Sequence, residues 1–285
     1  MIHELRPGVY VRTGHIQKLQ CVVLVDEASI YVFDPCYFPD EIGEIRELAR
    51  SFETPDRKKY LILTHSDWDH IAGVFEFPGY TVIASGKWDE SNEMNHIGKV
   101  EKFDSEFYVD RKWTGKMPRV PIDDKVRHGQ QMGKMTFYHA QGHTWDGLVS
   151  IYGQTAIVGD YLSEVEFPFV FASYRAYMDT LSLFSEIVET HAIDTVITQH
   201  GPAALGRREI QRRIDISSDY LNRAVQLVSD GIERGLTVEE IVQSGDDFLF
   251  DGQPIAIGIH HFHQYNLKLV HAELLASREN MVQKL

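Results

Sequence analysis

A chain of 285 residues with 43% apolar and 25% charged side chains has ordinary globular composition and enough length for a sizeable core. Its formal net charge of −14, from 42 acidic and 28 basic residues, argues against a nucleic-acid backbone or an anionic membrane surface as partner. Two cysteines, Cys21 and Cys36, make no disulfide framework, and no signal-like apolar core or run of membrane-spanning length is present, so a reducing cytoplasm is the expectation.

Residues 9–11 and 19–25, rich in β-branched and aromatic side chains and bounded by Gly8, Gly14 and Asp26, read as strands. Residues 29–33 follow across a short polar turn, which predicts a hairpin, and they end at Asp34-Pro35. Pro39 opens a helix in which Ile42, Ile45, Leu48, Ala49 and Phe52 recur at helical spacing, with Asp40 and Glu41 in the first turn. An apolar run, 60–63, then leads into Thr64-His65-Ser66-Asp67-Trp68-Asp69-His70. Four side chains able to bind metal thus sit at the carboxyl end of a predicted strand, the usual place for chemistry in an open α/β sheet. If the chain stays extended there, positions 65, 67 and 69 project to one side and His70 to the other.

Residues 80–84 form the next predicted strand, and 85–121 read as helices and loops inserted near the site, a lid or substrate wall. Strand 135–140 runs into Gly142-His143-Thr144, and 148–152 with 155–158 form a hairpin ending in Gly159-Asp160. A helix over 174–190 leads to strand 195–198 and Gln199-His200. A strand ending in Asp34, a helix and a strand ending in His65 are thereby echoed by a strand ending in Asp160, a helix and a strand ending in His200. Two such halves pair their sheets face to face with all those polar ends on one rim. Beyond Pro202 the pattern is helical: a long amphipathic helix from Ile210 to a close near Gly235, a capping box of Thr237 with Glu240, a loop over 245–254 and a last helix over about 255–276. No Gly-, Ser- or Pro-rich linker interrupts 1–285, so one domain is expected, with its core over about 1–204 and C-terminal helices over about 205–285.

His65, Asp67, Asp69, His70, His143, Asp160 and His200, in that order at strand ends, closely resemble the signature of the metallo-β-lactamase superfamily: H-x-H-x-D-H, a lone His, a Gly-Asp and a final His. The resemblance spans roughly the first 200 residues, and the helical tail is similar to that of glyoxalase II-like members. It implies an α/β, four-layer αββα sandwich with a helical C-terminal extension and a binuclear centre on one edge. Carried across, His65 and His143 bind the first metal; Asp69, His70 and His200 bind the second, and Asp160 bridges them. Asp69 also orients the nucleophile and helps protonate the leaving group, while Asp34 supports the metal loop from behind. Two cations roughly 3.5–4 Å apart share a hydroxide and make it a nucleophile near neutral pH.

The departure is Asp67, where the family usually has its second histidine. As a ligand it keeps two metals in a harder site and brings manganese or iron into range beside the family's zinc. As a non-ligand it leaves one metal, and as a mark of a decayed site it means that turnover is lost. The ligand reading is preferred because every other position of the set is present. Two divalent ions against three carboxylates and a hydroxide sum to zero charge, which tilts the substrate toward neutral esters, lactones or thioesters. The expected activity is therefore a metal-dependent hydrolase acting on such a bond in a small molecule. A diiron oxygen-binding or redox protein of the same fold, a phosphodiesterase, and a metal-binding sensor without turnover stand as alternatives.

His260, His261 and His263 spread around one helix and read as core or surface histidines, with His263 the candidate substrate contact. Tyr161 either lines the pocket or packs, Trp68 packs on the inserted segment and shapes the pocket, and Cys36 and His139 read as structural. Asp123-Asp124 and Asp246-Asp247 read as solvated loop charges. The long C-terminal helices offer a surface for a homodimer.

Overall fold

The computed structural model describes residues 2–113 and 115–282, without the side chains of 280–282; Met1, Thr114 and 283–285, part of the expected 1–285 span, lie outside the described residues. Among those residues the chain forms two main sheets. The first holds, in spatial order, β1 (Ile2–Arg6), β2 (Val9–Thr13), β3 (Gln20–Val25), β4 (Ser29–Phe33), β5 (Lys58–Ile62), β6 (Thr81–Ser85) and β7 (Asp124–Val126). Its first four strands run antiparallel, and β4 through β7 run parallel. The second sheet contains β8 (Gln131–Met132), β9 (Met135–His139), β10 (Leu148–Tyr152), β11 (Thr155–Ile157), β12 (Thr195–Ile197) and β13 (Ala204–Leu205), with spatial order reversed from chain order. A parallel pair needs a crossover, and α1 (Pro39–Ser51) and α4 (Tyr174–Thr190) supply it between β4 and β5 and between β11 and β12. The two βαβ units expected from the repeated pattern are therefore present, one in each sheet.

Alternation along the strands sorts side chains into layers. Val22, Leu24, Tyr31, Phe33, Met135, Phe137 and Leu148 share one buried cluster with residues of both sheets, the seam between them. The intervening Cys21, Val23, Ile30 and Val32 face outward onto Ile42 and Ile45 of α1 and Ile97 of α3 (Glu90–Phe107). On the far side, Val149, Ile151 and Val196 pack against α4 and the long α5 (Arg207–Glu233), with α6 (Val238–Ser244) and α7 (His260–Val282) closing the layer. The fold is the αββα sandwich with helical C-terminal extension, and both cysteines are buried and free. No helix among the described residues is long and apolar enough to cross a membrane.

Several local expectations change. β1 was not foreseen because His3, Glu4 and Arg6 break an apolar alternation that an edge strand does not need. β7 and β8 are too short to leave a pattern. Asp123 is exposed, as expected, but it is also engaged: its carboxylate accepts the Val82 N–H at 2.7 Å while its own N–H donates to Val82 O, fastening the segment before β7 to β6. The loop over 245–254 contains a small hairpin, β14 (Leu249–Phe250) with β15 (Gln253–Pro254).

One buried ion pair holds the rim. Arg12 on β2 places Nη1 2.7 Å from Glu41 Oε1 in the first turn of α1, and the two side chains are 4% and 1% exposed. The same carboxylate accepts the backbone N–H groups of His15 and Phe38, so it pins the loop between β2 and β3. That loop crosses to the second sheet, where Gln20 and Gln199 exchange hydrogen bonds and Gly201 N–H donates to Lys18 O. Replacing Arg12 by Leu leaves Glu41 buried without its nearest counter-charge, and the expected cost is about 3–5 kcal/mol. A urea midpoint measures it, and a loss below roughly 1 kcal/mol, typical of an exposed pair, would contradict the role given to this contact.

Candidate metal centre

β5 ends at Ile62, the chain bends at Thr64, and Asp67, extended with ψ 148°, caps the four-residue helix α2 (Trp68–Ile71). The expected alternation of 65, 67 and 69 against 70 therefore fails after Asp67. Asp69 and His70 are successive helical positions, about 100° apart, and both reach the same place. The second sheet supplies the remainder. Gly142, at φ +126°, turns the chain after β9 where an added Cβ would lie 2.3 Å from Tyr177 N, and it delivers His143. Asp160 follows β11, and His200 follows β12.

His65, His143 and Asp160 form one group whose donor atoms lie within 4.8 Å of one another, and Asp69, His70 and His200 form another. Asp160 joins them: Oδ2 lies 3.5, 3.3 and 3.4 Å from Nε2 of His65, His143 and His200, and Oδ1 lies 3.4 Å from Nε2 of His70. Asp69 faces His70 and His200 at 3.8 and 3.5 Å. Asp67 Oδ2 stands 3.9 Å from His65 Nε2 and 3.6 Å from His143 Nε2, on the side of the first group.

Each imidazole is aimed from behind. His143 Nδ1 donates to Phe169 O at 2.8 Å, and His200 Nδ1 donates to Gln17 O at 3.0 Å. His70 Nδ1 donates to Asp34 Oδ2 at 2.9 Å. The Thr64 hydroxyl gives its proton to Asp34 Oδ2 at 2.6 Å and so accepts from His65 Nδ1 at 2.9 Å. With every Nδ1 protonated, all four Nε2 atoms turn inward as lone-pair donors. Nε2 of His65, His70 and His143 and Oδ1 of Asp160 are buried without a hydrogen-bond partner; Asp67 Oδ1 is unpartnered too, but it faces His96 and not the centre. Imidazole nitrogens and carboxylates left unpaired around one point are the donor set of a divalent metal, and the residues fit such ions.

The electrostatics agree. Burial disfavours charged imidazoles at His143 and His200, yet Asp160 with its acidic neighbours pushes both up to about 10. Burial would raise Asp160, but His200, His70 and His65 hold it well below the carboxylate range; His143, His65 and His96 do the same for Asp67.

A small cavity of ≈ 140 Å³ opens over both groups, walled by Trp68, Glu166, Phe169, Phe171 and Phe262. It shares Asp67, Lys99, Phe171 and Phe262 with a larger one of ≈ 510 Å³ that extends between α3 and the loop after His143. The inserted segment 85–121 thus builds one wall through α3. Trp68 packs on Phe103 of α3 and on Tyr37 at ring distances of 5.0 Å. The 166–171 segment is clamped from the C-terminal helix: Asn266 accepts Val170 N–H at 3.0 Å and donates to Pro168 O at 2.6 Å.

Two candidate substrate contacts are corrected. Tyr161 is 2% exposed and its hydroxyl is committed, accepting His143 N–H at 3.0 Å and donating to Ala140 O, so it shapes the His143 turn. His263 is fully buried among the C-terminal helices, bonded to the Tyr220 hydroxyl and Gly245 O. The cavities are also faced by residues that no sequence signal singles out, among them His96 and Lys99 of α3, and Glu166. Glu166 is 8% exposed, and burial, against the pull of His200, pushes it up to about 7. His96 and Lys99 sit in a helix whose periodicity is weak, and Glu166 sits in a loop, so no spacing rule pointed to them.

A model of the metallo-beta-lactamase superfamily matches residues 20–189. Comparison with curated proteins by sequence gives no match. Among solved structures, the inverting sec-alkylsulfatase Pisa1 from Pseudomonas sp. is similar at 13% identity and TM-score 0.64, over 95% of this chain and 50% of that one. A beta-lactamase domain protein from Burkholderia ambifaria is similar at 15% identity and TM-score 0.64, over 97% and 88%. The DIM-1 metallo-beta-lactamase follows at 12% identity and TM-score 0.54, over 77% and 97%. At these identities the likeness is one of fold, and the chain spans about half the length of the alkylsulfatase.

The inward nitrogens bind either a proton or a metal ion, so metal uptake must expel protons. His143 and His200 keep theirs up to about 10, and lowering the pH through the neutral range therefore weakens apparent metal affinity. The expected slope is about tenfold per pH unit for each proton displaced. Calorimetry of zinc binding in buffers of different ionisation enthalpy measures it, and an affinity that is flat between about pH 6 and about pH 8 would contradict this picture.

Proposed function

The chain belongs to the metallo-β-lactamase superfamily, and from that membership we propose that it is a metal-dependent hydrolase acting on an ester, lactone or thioester bond of a small molecule. The observation that carries the reading is the pair of donor groups sharing Asp160 at the floor of a cavity. His65, His143 and Asp67 would hold one divalent ion, and Asp69, His70 and His200 the other, with Asp160 between them. Bound there, such ions polarise a carbonyl oxygen and bring the pKa of a water toward neutrality.

The protein's own groups do the rest. The Nδ1 bonds to Phe169 O, Gln17 O, Asp34 and Thr64 fix the imidazoles before substrate arrives, so little reorganisation is needed during reaction. Asp69 lines the small cavity, and its carboxylate would take a proton from the nucleophile and return it to the leaving group. Phe171 and Phe262 line both cavities and offer an apolar wall for the acyl or leaving group, and Asn92 and Asn95 make the opposite wall polar. Three carboxylates at the centre leave no surplus positive charge from two divalent ions and a hydroxide, which favours a neutral bond over a phosphodiester. The same carboxylates, hard donors, favour a second reading with iron or manganese, the diiron oxygen-handling class.

Metal analysis of protein purified without added metal, together with turnover of neutral esters, lactones, thioesters, alkyl sulfates and phosphodiesters, tests both. The expected result is about two ions per chain and turnover of a neutral ester-type substrate. Asp160→Asn should cut that turnover by about 10²–10³-fold or more. Two irons with a visible charge-transfer band and no hydrolysis would support the second reading instead. Tightly held metal with no turnover across the panel would overturn the first.

A further inference from the structure

Asp67 has a carboxylate where a longer imidazole would reach a metal unaided, and its two oxygens face different partners. Oδ2 points toward His65 and His143, while Oδ1 lies 3.3 Å from Nε2 of His96 on α3. His96 is 6% exposed, and its Nδ1 lies 3.5 Å from the ammonium of Lys99, which can only donate. With Nδ1 facing that ammonium, Nε2 carries the proton of the neutral imidazole and faces Asp67 Oδ1, a buried oxygen that makes no hydrogen bond in this structure and has His96 as its near donor. A second contact docks α3 on the same loop: Asn92 Nδ2 donates to Ser66 Oγ at 2.8 Å.

We propose that His96 is the positioning residue that makes Asp67 a metal ligand, by holding Oδ1 so that Oδ2 stays turned toward His65 and His143. The inference rests on the two-metal reading above. It inverts the common arrangement in which a histidine binds the metal and a carboxylate behind it fixes the ring: here the carboxylate binds and the ring fixes it. Partners of this kind are worth about 10–100-fold in metal affinity. Free rotation about χ1 and χ2 of Asp67 would otherwise let its oxygens move between the first donor group and the open ≈ 510 Å³ cavity that it also lines. The inserted helix thereby does more than wall a pocket; it completes the donor set at the position where this chain departs from the family's usual histidine.

The test compares His96→Leu, which keeps bulk and removes the donor, with His96→Gln, whose amide can donate from nearly the position of Nε2. Zinc stoichiometry and affinity after dialysis, and the visible spectrum of the cobalt(II)-loaded protein, are read for each. Wild type should hold two ions. His96→Leu should lose about 10–100-fold in affinity for one of them and change the cobalt band, with the other ion retained. His96→Gln should restore both readouts. His96→Ala gives the same readout should the leucine not pack. Wild-type protein that holds no ion fails the two-metal reading before any variant is made. A His96→Leu protein with wild-type stoichiometry, affinity and spectrum overturns the role of His96 alone.

Discussion

The Asp34 carboxylate is the contact on which the centre depends. It is fully buried at the end of β4, with backbone φ +41°, and it accepts from Thr64 N–H at 2.9 Å, from the Thr64 hydroxyl and from His70 Nδ1. A buried carboxylate costs several kcal/mol unless such bonds offset its lost hydration. Here they also do geometric work, because the three donors belong to the end of β5 and to α2. One side chain therefore sets the register of two parallel strand ends, orients His70 directly and orients His65 through Thr64. The left-handed backbone at Asp34 is local strain retained where a side chain must be turned sharply off a strand end.

The second sheet is brought to the same rim by a different device. Glu41 and Arg12 hold the loop between β2 and β3, Gln17 on that loop accepts from His200, and Gln20 with Gln199 ties the two sheets together. Neither sheet could present a full set of donors alone. The first contributes His65, Asp67, Asp69 and His70, and the second contributes His143, Asp160 and His200. The seam of Val22, Phe33, Phe137 and Leu148 fixes their separation, since a slip of one residue in any strand would exchange seam and helix-facing side chains.

Much of this was legible in sequence because donors at strand ends are local features: each follows an apolar run that stops at a polar or glycine residue. The layers were legible for the same reason, since the α1 and α4 patterns are long and clearly amphipathic. What was hidden depends on long-range contact. The direction of Asp69 and His70 followed from where α2 begins, and a four-residue helix has no period to read. The approach of His96 to Asp67 joins residues 29 positions apart through the packing of a helix with a weakly amphipathic pattern. Tyr161 and His263 looked available because sequence shows a hydroxyl or an imidazole but not the partners already engaging it.

The clamp by Asn266 on the 166–171 segment carries a consequence of its own. That segment presents Phe169 O to His143 and sets Phe171 in the cavity wall, while α7 places Phe262 beside it. The tail thus touches ligand geometry and pocket shape through the same few backbone atoms. A change in these helices that reshaped the cavity would also shift the backbone that aims His143, so the contour of the pocket and the direction of that imidazole are mechanically coupled.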